Sequence, residues 1–208
     1  MQGHLACRSV AIPEDPERNP RVRLRELTVL SDSWYTLRRA TFDIQGRDGT
    51  WTTQHREAYD RGNGATILLC DETRDTVLLT RQFRLPAYLN GHPDGMLIET
   101  PAGLLDDDDA TAETAIRREA EEETGYRVDS VTRIGEYFMS PGSVTERVAF
   151  FTGSYRAGER VSQGGGVAGE GEDIEILEVT LTEAIAMVER GEIVDAKTVL
   201  LLRLAQFA

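Results

Sequence analysis

The segment "TAETAIRREAEEET", residues 111–124, reads as a helix and constrains the fold most, because its acids continue an apolar face. At about 100° per residue, with Glu119 as zero, Ala112 falls at about 20°, Ala115 at about 320° and Ile116 at about 60°. On the same wheel Glu122 lies at about 300° and Glu123 at about 40°. One stripe about 120° wide therefore holds all six. Glu113, Thr114, Arg117 and Glu121 fall on other faces. A charge run is usually a solvated face, but this one extends a face that begins by pointing inward. Carboxylates turned toward protein are costly unless paired or metal-bound. Two such charges about 4 Å apart repel by roughly 4 kcal/mol at an effective dielectric of about 20. A hard divalent cation reverses that sign. Mg²⁺, or alternatively Mn²⁺, takes oxygen ligands and shares its shell with substrate phosphates. Arg118 is spaced to pair with Glu122 at i,i+4 and fix its direction.

Around this helix the chain reads mostly as strands. "VRLRELTVL", "WYTLRRATFDI" and "TWTTQHREAYD", with "GRDG" as a turn, form an N-terminal sheet that must pack on something else to bury its face. Residues 1–21, rich in Pro, Glu and Arg, are expected to be mobile at the start. "RGNG" marks a boundary near residue 62. Beyond it "ATILLC", "TVLLTRQFR", "MLIET", "VTRIGEYFM", "ERVAFFTGSY" and "IEILEVT" are strands. Thr182 is expected to cap a helix running to about Arg190, and "DAKTVLLLRLAQF" closes the chain as a helix. This order predicts a layered α/β sandwich rather than a doubly wound sheet.

The formal net charge of −13 excludes a duplex-binding surface, which needs a basic face. No apolar run is long enough to span a membrane. Cys7 and Cys70 fit neither a zinc site nor a disulfide framework and read as reduced thiols of a cytoplasmic protein. His4, His55 and His92 are too scattered for a metal site. The aspartates of "LLDDDDA" read as solvent-facing charges at a helix N-terminus.

Gly103 and then Arg118-Glu119-Ala120-Glu121-Glu122-Glu123-Thr124-Gly125-Tyr126 resemble the Nudix box, G-x5-E-x7-R-E-U-x-E-E-x-G-U. The second half matches at every fixed position. In the first half the glycine is one residue too far from Arg-Glu, so Asp109 or Glu113 must stand in for the isolated glutamate. "RQFR", "LIETPAGLLD", "MSPGSVTE", "GGGVAGEGEDIE" and "GEIVDAKTVLLL" extend the resemblance to the GDP-mannose pyrophosphatase branch, related to the dimeric ADP-ribose pyrophosphatases.

This resemblance implies a Nudix α/β/α sandwich with a mixed sheet over residues 61–208. A small antiparallel N-terminal β domain, residues 1–60, would pack or swap in a homodimer. It also implies metal-dependent hydrolysis of a nucleoside diphosphate sugar. GDP-mannose would give GMP and mannose 1-phosphate; the alternative is ADP-ribose giving AMP and ribose 5-phosphate. A non-catalytic nucleotide sensor is the lesser reading. By match, Glu119, Glu123 and Glu122 and the carbonyl of Ala102 hold metal. Glu172, with Glu170 as companion, is the base on a glycine-rich loop, and Glu122 stands beside it. On composition alone that loop is a flexible linker; by resemblance it is a catalytic lid. Arg84, and with it Arg81, offers a bidentate phosphate contact, unless acids claim them. Ser140 and Gly142 shape the substrate site, and Glu146 supports it.

Overall fold

The computed structural model describes residues 8–9, 19–106, 108–167, 169 and 171–207. It divides into two compact units, Met1–Gly62 with Phe138–Glu146, and Asn63–Tyr137 with Arg147–Ala208.

The first unit is an antiparallel sheet of β1 (Arg8–Ser9), β2 (Val22–Asp32), β3 (Thr36–Gln45) and β4 (Trp51–Asp60), in that order. β1 falls within the stretch expected to be mobile and pairs Arg8 with Val29. The β3–β4 hairpin closes where Gly46 N–H donates to Thr50 O at 2.8 Å and Thr50 N–H to Asp48 Oδ1 at 3.0 Å. Few of the sheet's side chains are buried; Thr28 and Val29 are. The loop Phe138–Glu146 belongs to this unit. Tyr59 N–H donates to Ser143 O at 2.8 Å and Thr145 N–H to Tyr59 O at 3.0 Å, and Arg61 meets Glu146 at 3.5 Å.

The second unit is built on a mixed sheet of β5 (Gly64–Asp71), β6 (Thr76–Phe83), β7 (Met96–Glu99), β8 (Ala102–Leu104), β9 (Ser130–Phe138), β10 (Arg147–Ser154) and β11 (Glu175–Thr180). Its order is β11-β6-β5-β10-β9, with β7 on β6 and β8 on β5. β5 runs parallel to β10 and antiparallel to β6. The helices are α1 (Leu85–Leu89), α2 (Ala112–Thr124), α3 (Leu181–Glu189) and α4 (Ala196–Gln206).

Strand alternation sets the layers. Ala65, Ile67 and Leu69 of β5 join Leu78, Ala149 and Phe151 against Ile116 and Ala120 of α2. Thr66, which points the other way, hydrogen-bonds Thr100 Oγ1 at 2.8 Å, and Thr198 Oγ1 of α4 accepts from Thr100 N–H at 2.7 Å. The sheet therefore lies between α2 and the α3–α4 pair, the α/β/α sandwich that the Nudix resemblance implies. The cap of α3 is Thr180, which accepts from Glu183 N–H at 3.1 Å. Thr182 is not the cap, because it already lies inside the first turn. The short α1 and β8 escaped the sequence reading. Five residues around Pro86 and three around Gly103 are too few to display a period.

Candidate active site

The buried side of α2 takes in most of the stripe and extends past it to Ala120 and Thr124. Ala115, Ile116 and Glu123 are buried, Glu123 at 2 % exposure, while Glu113, Thr114 and Glu121 face solvent. The side chain of Glu119 is 16 % exposed and that of Glu122 36 %. Thr111 caps the helix, accepting from Thr114 N–H at 3.1 Å. At the other end Gly125 adopts the left-handed conformation, and its N–H reaches Glu121 O at 2.9 Å.

Strand β8 and the glycine-rich loop close on the acidic end. Ala102 N–H donates to Glu123 Oε2 at 3.2 Å. The neighbouring Gly103 lies so close to Glu119 that an added Cβ would sit 2.0 Å from its Cδ, so a larger residue there would displace this carboxylate from its position. From the other side Gly165 N–H donates to Glu123 O at 2.8 Å and Gly166 N–H to Glu122 O at 3.1 Å. The glycine-rich loop thus satisfies the last carbonyls of α2. Glu172 Oε2 accepts from Val167 N–H at 2.9 Å. Gly166 has φ +81°, and a Cβ there would meet Glu172 Oε2 at 2.4 Å. Glu170 lies outside the described residues.

The electrostatics are those of acids without enough partners. Burial pushes the Glu119 carboxyl up to about 7; Arg118 opposes this, and Glu122 and Glu172 add to it. Burial likewise holds Glu123 well above the usual carboxylate range, against the Ala102 N–H and with help from Glu119 and Glu172. Arg118 serves four acids, Asp106 at 2.9 Å, Glu119 at 3.1 Å, and Asp109 and Glu122 at 3.2 Å each. Of the two acids near the displaced first half of the box, the one that reaches Arg118 is Asp109. Its side chain is 9 % exposed, it also accepts from Asp106 N–H, and that hydrogen bond, followed by Arg118, lowers its pKa. The expectation that every aspartate of this loop faces solvent fails at Asp109, because the Asp106–Asp109 turn folds its carboxylate back. Glu113 instead pairs with Arg117 on the exposed face.

Among the described residues no three His, Cys, Asp or Glu side chains are drawn into a ready-made metal cluster. The donor chemistry nevertheless fits a hard cation. Glu119 and Glu123 are carboxylates that burial leaves short of positive charge, beside backbone at Ala102, and a divalent ion removes the penalty that raises their pKa values.

The arginines separate. Arg81 is engaged by Asp94 at 3.1 Å and Glu175 at 3.3 Å. Arg84 donates from Nε to Glu99 Oε2 at 2.7 Å, and its charge reaches Glu123. Ser140 and Gly142 are exposed in the loop of the first unit, where Glu146 partners Arg61. His55 meets Thr41 Oγ1 at 3.0 Å and His92 accepts from Gly95 N–H at 3.1 Å, while His4 and Cys7 lie outside the described residues.

Sequence reasoning missed Glu99 and Lys197. Glu99 is 3 % exposed at the end of β7, and Lys197 Nζ stands 3.4 Å from its Oε1 and 2.7 Å from Asp195 Oδ1. Burial opposes the charge of Lys197, but Glu99 and Asp195 outweigh it and raise its pKa. A local signal existed. "DAK" puts a lysine in the first turn of a helix, where the dipole disfavours a cation.

Fold and helix together define the class: a three-layer α/β/α sandwich whose carboxylate-bearing helix meets strand β8 on one side and a glycine-rich loop on the other. Comparison with known proteins narrows it. The NUDIX domain family model matches residues 60–202, and the model described as "GDP-mannose pyrophosphatase NudK N-terminal domain" matches residues 21–59. The chain belongs to the NUDIX family and is a Nudix hydrolase, in a family that generally needs divalent metal ions. It is 54% identical to a GDP-mannose pyrophosphatase of Yersinia enterocolitica over 86% of this chain and 91% of the relative. It is 56% identical to one of Salmonella arizonae over 84% of this chain and 89% of the relative. A solved structure described as an ADP compounds hydrolase shares the fold, with a TM-score of 0.68 at 16% identity, over 89% of this chain and 92% of that one. No described helix is long and apolar enough to cross a membrane.

Proposed function

We propose that this chain hydrolyses the pyrophosphate bond of GDP-mannose, releasing GMP and mannose 1-phosphate. The observation that carries this reading is identity above one half to GDP-mannose pyrophosphatases along most of the chain, joined to the inward-turned glutamates of α2. Glu119 and Glu123, with Glu122 and the Ala102 carbonyl, would hold Mg²⁺, for which Mn²⁺ could substitute, and the ion would supply charge neutralisation at the phosphoryl oxygens and a more acidic water. Glu172, with Glu170 nearby, takes the proton as water attacks phosphorus and the bridging P–O bond breaks. Arg84 grips the phosphate oxygens of the bound substrate. Arg81, Ser140 and Gly142 shape the remaining substrate contacts. The sparsely buried N-terminal sheet packs on a second copy as a homodimer, and the free Cys70 thiol suits the cytoplasm.

The test is a panel of nucleoside diphosphate sugars, with ADP-ribose included, assayed by phosphatase-coupled phosphate release with Mg²⁺, Mn²⁺ or chelator. GDP-mannose should turn over fastest and only with a cation. Equal or faster turnover of ADP-ribose removes the substrate assignment, and full turnover in chelator removes the metal assignment.

A further inference from the structure

Glu99 comes from the end of β7, Arg84 from the residue after β6, and Lys197 from the first turn of α4. Their charges converge on one buried carboxylate, whose side chain is 4 % exposed. A buried carboxylate stripped of its cations is costly to the fold. The two oxygens are divided between them, Oε2 accepting from Arg84 Nε at 2.7 Å and Oε1 facing Lys197 Nζ at 3.4 Å. Asp195 cannot replace Glu99 in this role. Its Oδ2 already accepts from Thr198 N–H at 3.0 Å and Thr198 Oγ1 at 2.7 Å as the cap of α4.

The manner in which Arg84 is held carries the argument. Only Nε is committed. Among the described residues its Nη groups make no hydrogen bond, and the side chain is 37 % exposed. An arginine pinned by Nε keeps the end of its fork open, the edge that grips two phosphate oxygens at once. The charge of that fork reaches Glu123, the most buried acid of the α2 stripe.

We propose that Glu99 is a positioning residue. It fixes the rotamer of Arg84 so that the open guanidinium edge meets the substrate's pyrophosphate beside the α2 glutamates, and it does not itself touch substrate. This inference rests on the pyrophosphatase reading and adds to it the device that makes Arg84 selective for a pyrophosphate.

The experiment is a double-mutant cycle on the intact chain with Glu99→Gln, Arg84→Ala and the pair, read as KM and kcat separately on GDP-mannose with Mg²⁺. Glu99→Gln should raise KM about tenfold, the scale of one lost charge-assisted phosphate contact, with kcat within about twofold of wild type. Added to Arg84→Ala it should change KM by less than about twofold, since the residue it positions is already gone. Glu99→Asp, which keeps the charge, should recover part of the loss, and it replaces Glu99→Gln in the cycle if that variant does not fold. Additive KM effects, or a fall in kcat at unchanged KM, overturn the proposal. Should wild type turn over no nucleoside diphosphate sugar, the pyrophosphatase reading fails by itself. The same cycle is then read by calorimetry with inorganic pyrophosphate and Mg²⁺, where additive losses or no binding to wild type overturn the role of Glu99.

Discussion

Two charged clusters stand in this molecule, and they are balanced differently. On α2, Glu119 and Glu122 share Arg118, which also serves Asp106 and Asp109, while Glu123 accepts from the Ala102 N–H and feels the charge of Arg84. At the mouth of α4, Glu99 and Asp195 face Arg84 and Lys197, two acids against two cations. A cluster short of counter-charge is unfinished until something binds, whereas a balanced one is scaffold that orients what it holds. Removing a charge should therefore act in opposite directions on stability at the two places.

The largest effect belongs to Glu123. Glu123→Gln should lower kcat by about 10³-fold, since several kcal/mol of charge stabilisation in the transition state depends on the ligand set. The apo protein should meanwhile melt no lower than wild type, because the substitution removes a buried charge that lacked compensation. Glu99→Gln should do the reverse, keeping kcat while destabilising by about 2 kcal/mol, as a buried pair loses one member. Thermal melts in chelator set beside steady-state kinetics check both, and parallel behaviour of the two variants would break the distinction.

Protons probe the same contrast. The Glu119 carboxyl lies at about 7 in the fold against an ordinary 4.5. Its folded pKa is raised, so the stability it contributes is complete below about 4.5 and is lost as pH rises through 7. Over that window the chelated protein should lose up to about 3 kcal/mol from this group. Added Mg²⁺ should stabilise more strongly as pH rises through the same range, because binding requires the ionised form. Denaturant melts at pH 5, 6, 7 and 8, with and without Mg²⁺, give the slope; a cation effect that shrinks with pH contradicts the ligand assignment.

A smaller effect is expected where the glycine-rich loop meets the acids. Gly166→Ala places a Cβ against Glu172 Oε2 at a φ of +81°. The strain is on the order of 1–2 kcal/mol, and it displaces the carboxylate proposed as base. Activity should fall about tenfold, the size of that strain expressed as a rate. Gly169→Ala, with open space around its Cβ position, should leave activity unchanged and serves as the control.

The acid-rich cluster was readable in the chain because one helix carries it. Period and charge together point Glu119, Glu122 and Glu123 at the same place, and no knowledge of the sheet is needed. The balanced cluster was not readable, because Arg84, Glu99 and Lys197 meet only after β6, β7 and α4 have assembled, and no periodicity links 84, 99 and 197. The layers of the sandwich followed from apolar runs and turn glycines. The cap of α3 went to Thr180 instead of Thr182 because both residues suit a cap, and only the end of β11 decides between them. Ser140 and Gly142 sit in a segment between two clear strands, and nothing local reveals that this loop belongs with β4.

The smallest effect concerns Asp109, where sequence spacing left two candidates and the fold distinguishes them. Asp109 engages Nη2 of Arg118, whose Nη1 meets Glu119 and Glu122. Without that partner, Arg118 should lean further onto Glu119 and Glu122, competing with a cation for the same oxygens. Asp109→Asn should then raise the Mg²⁺ concentration needed for half-maximal activity about threefold, the scale of a single partly exposed ion pair, with kcat at saturating Mg²⁺ preserved. Glu113→Gln, whose partner Arg117 lies on the exposed face, should leave the Mg²⁺ requirement where it was. A Mg²⁺ titration of the two variants side by side decides which acid completes the displaced half of the box, and a shift in Glu113→Gln alone would assign it to Glu113.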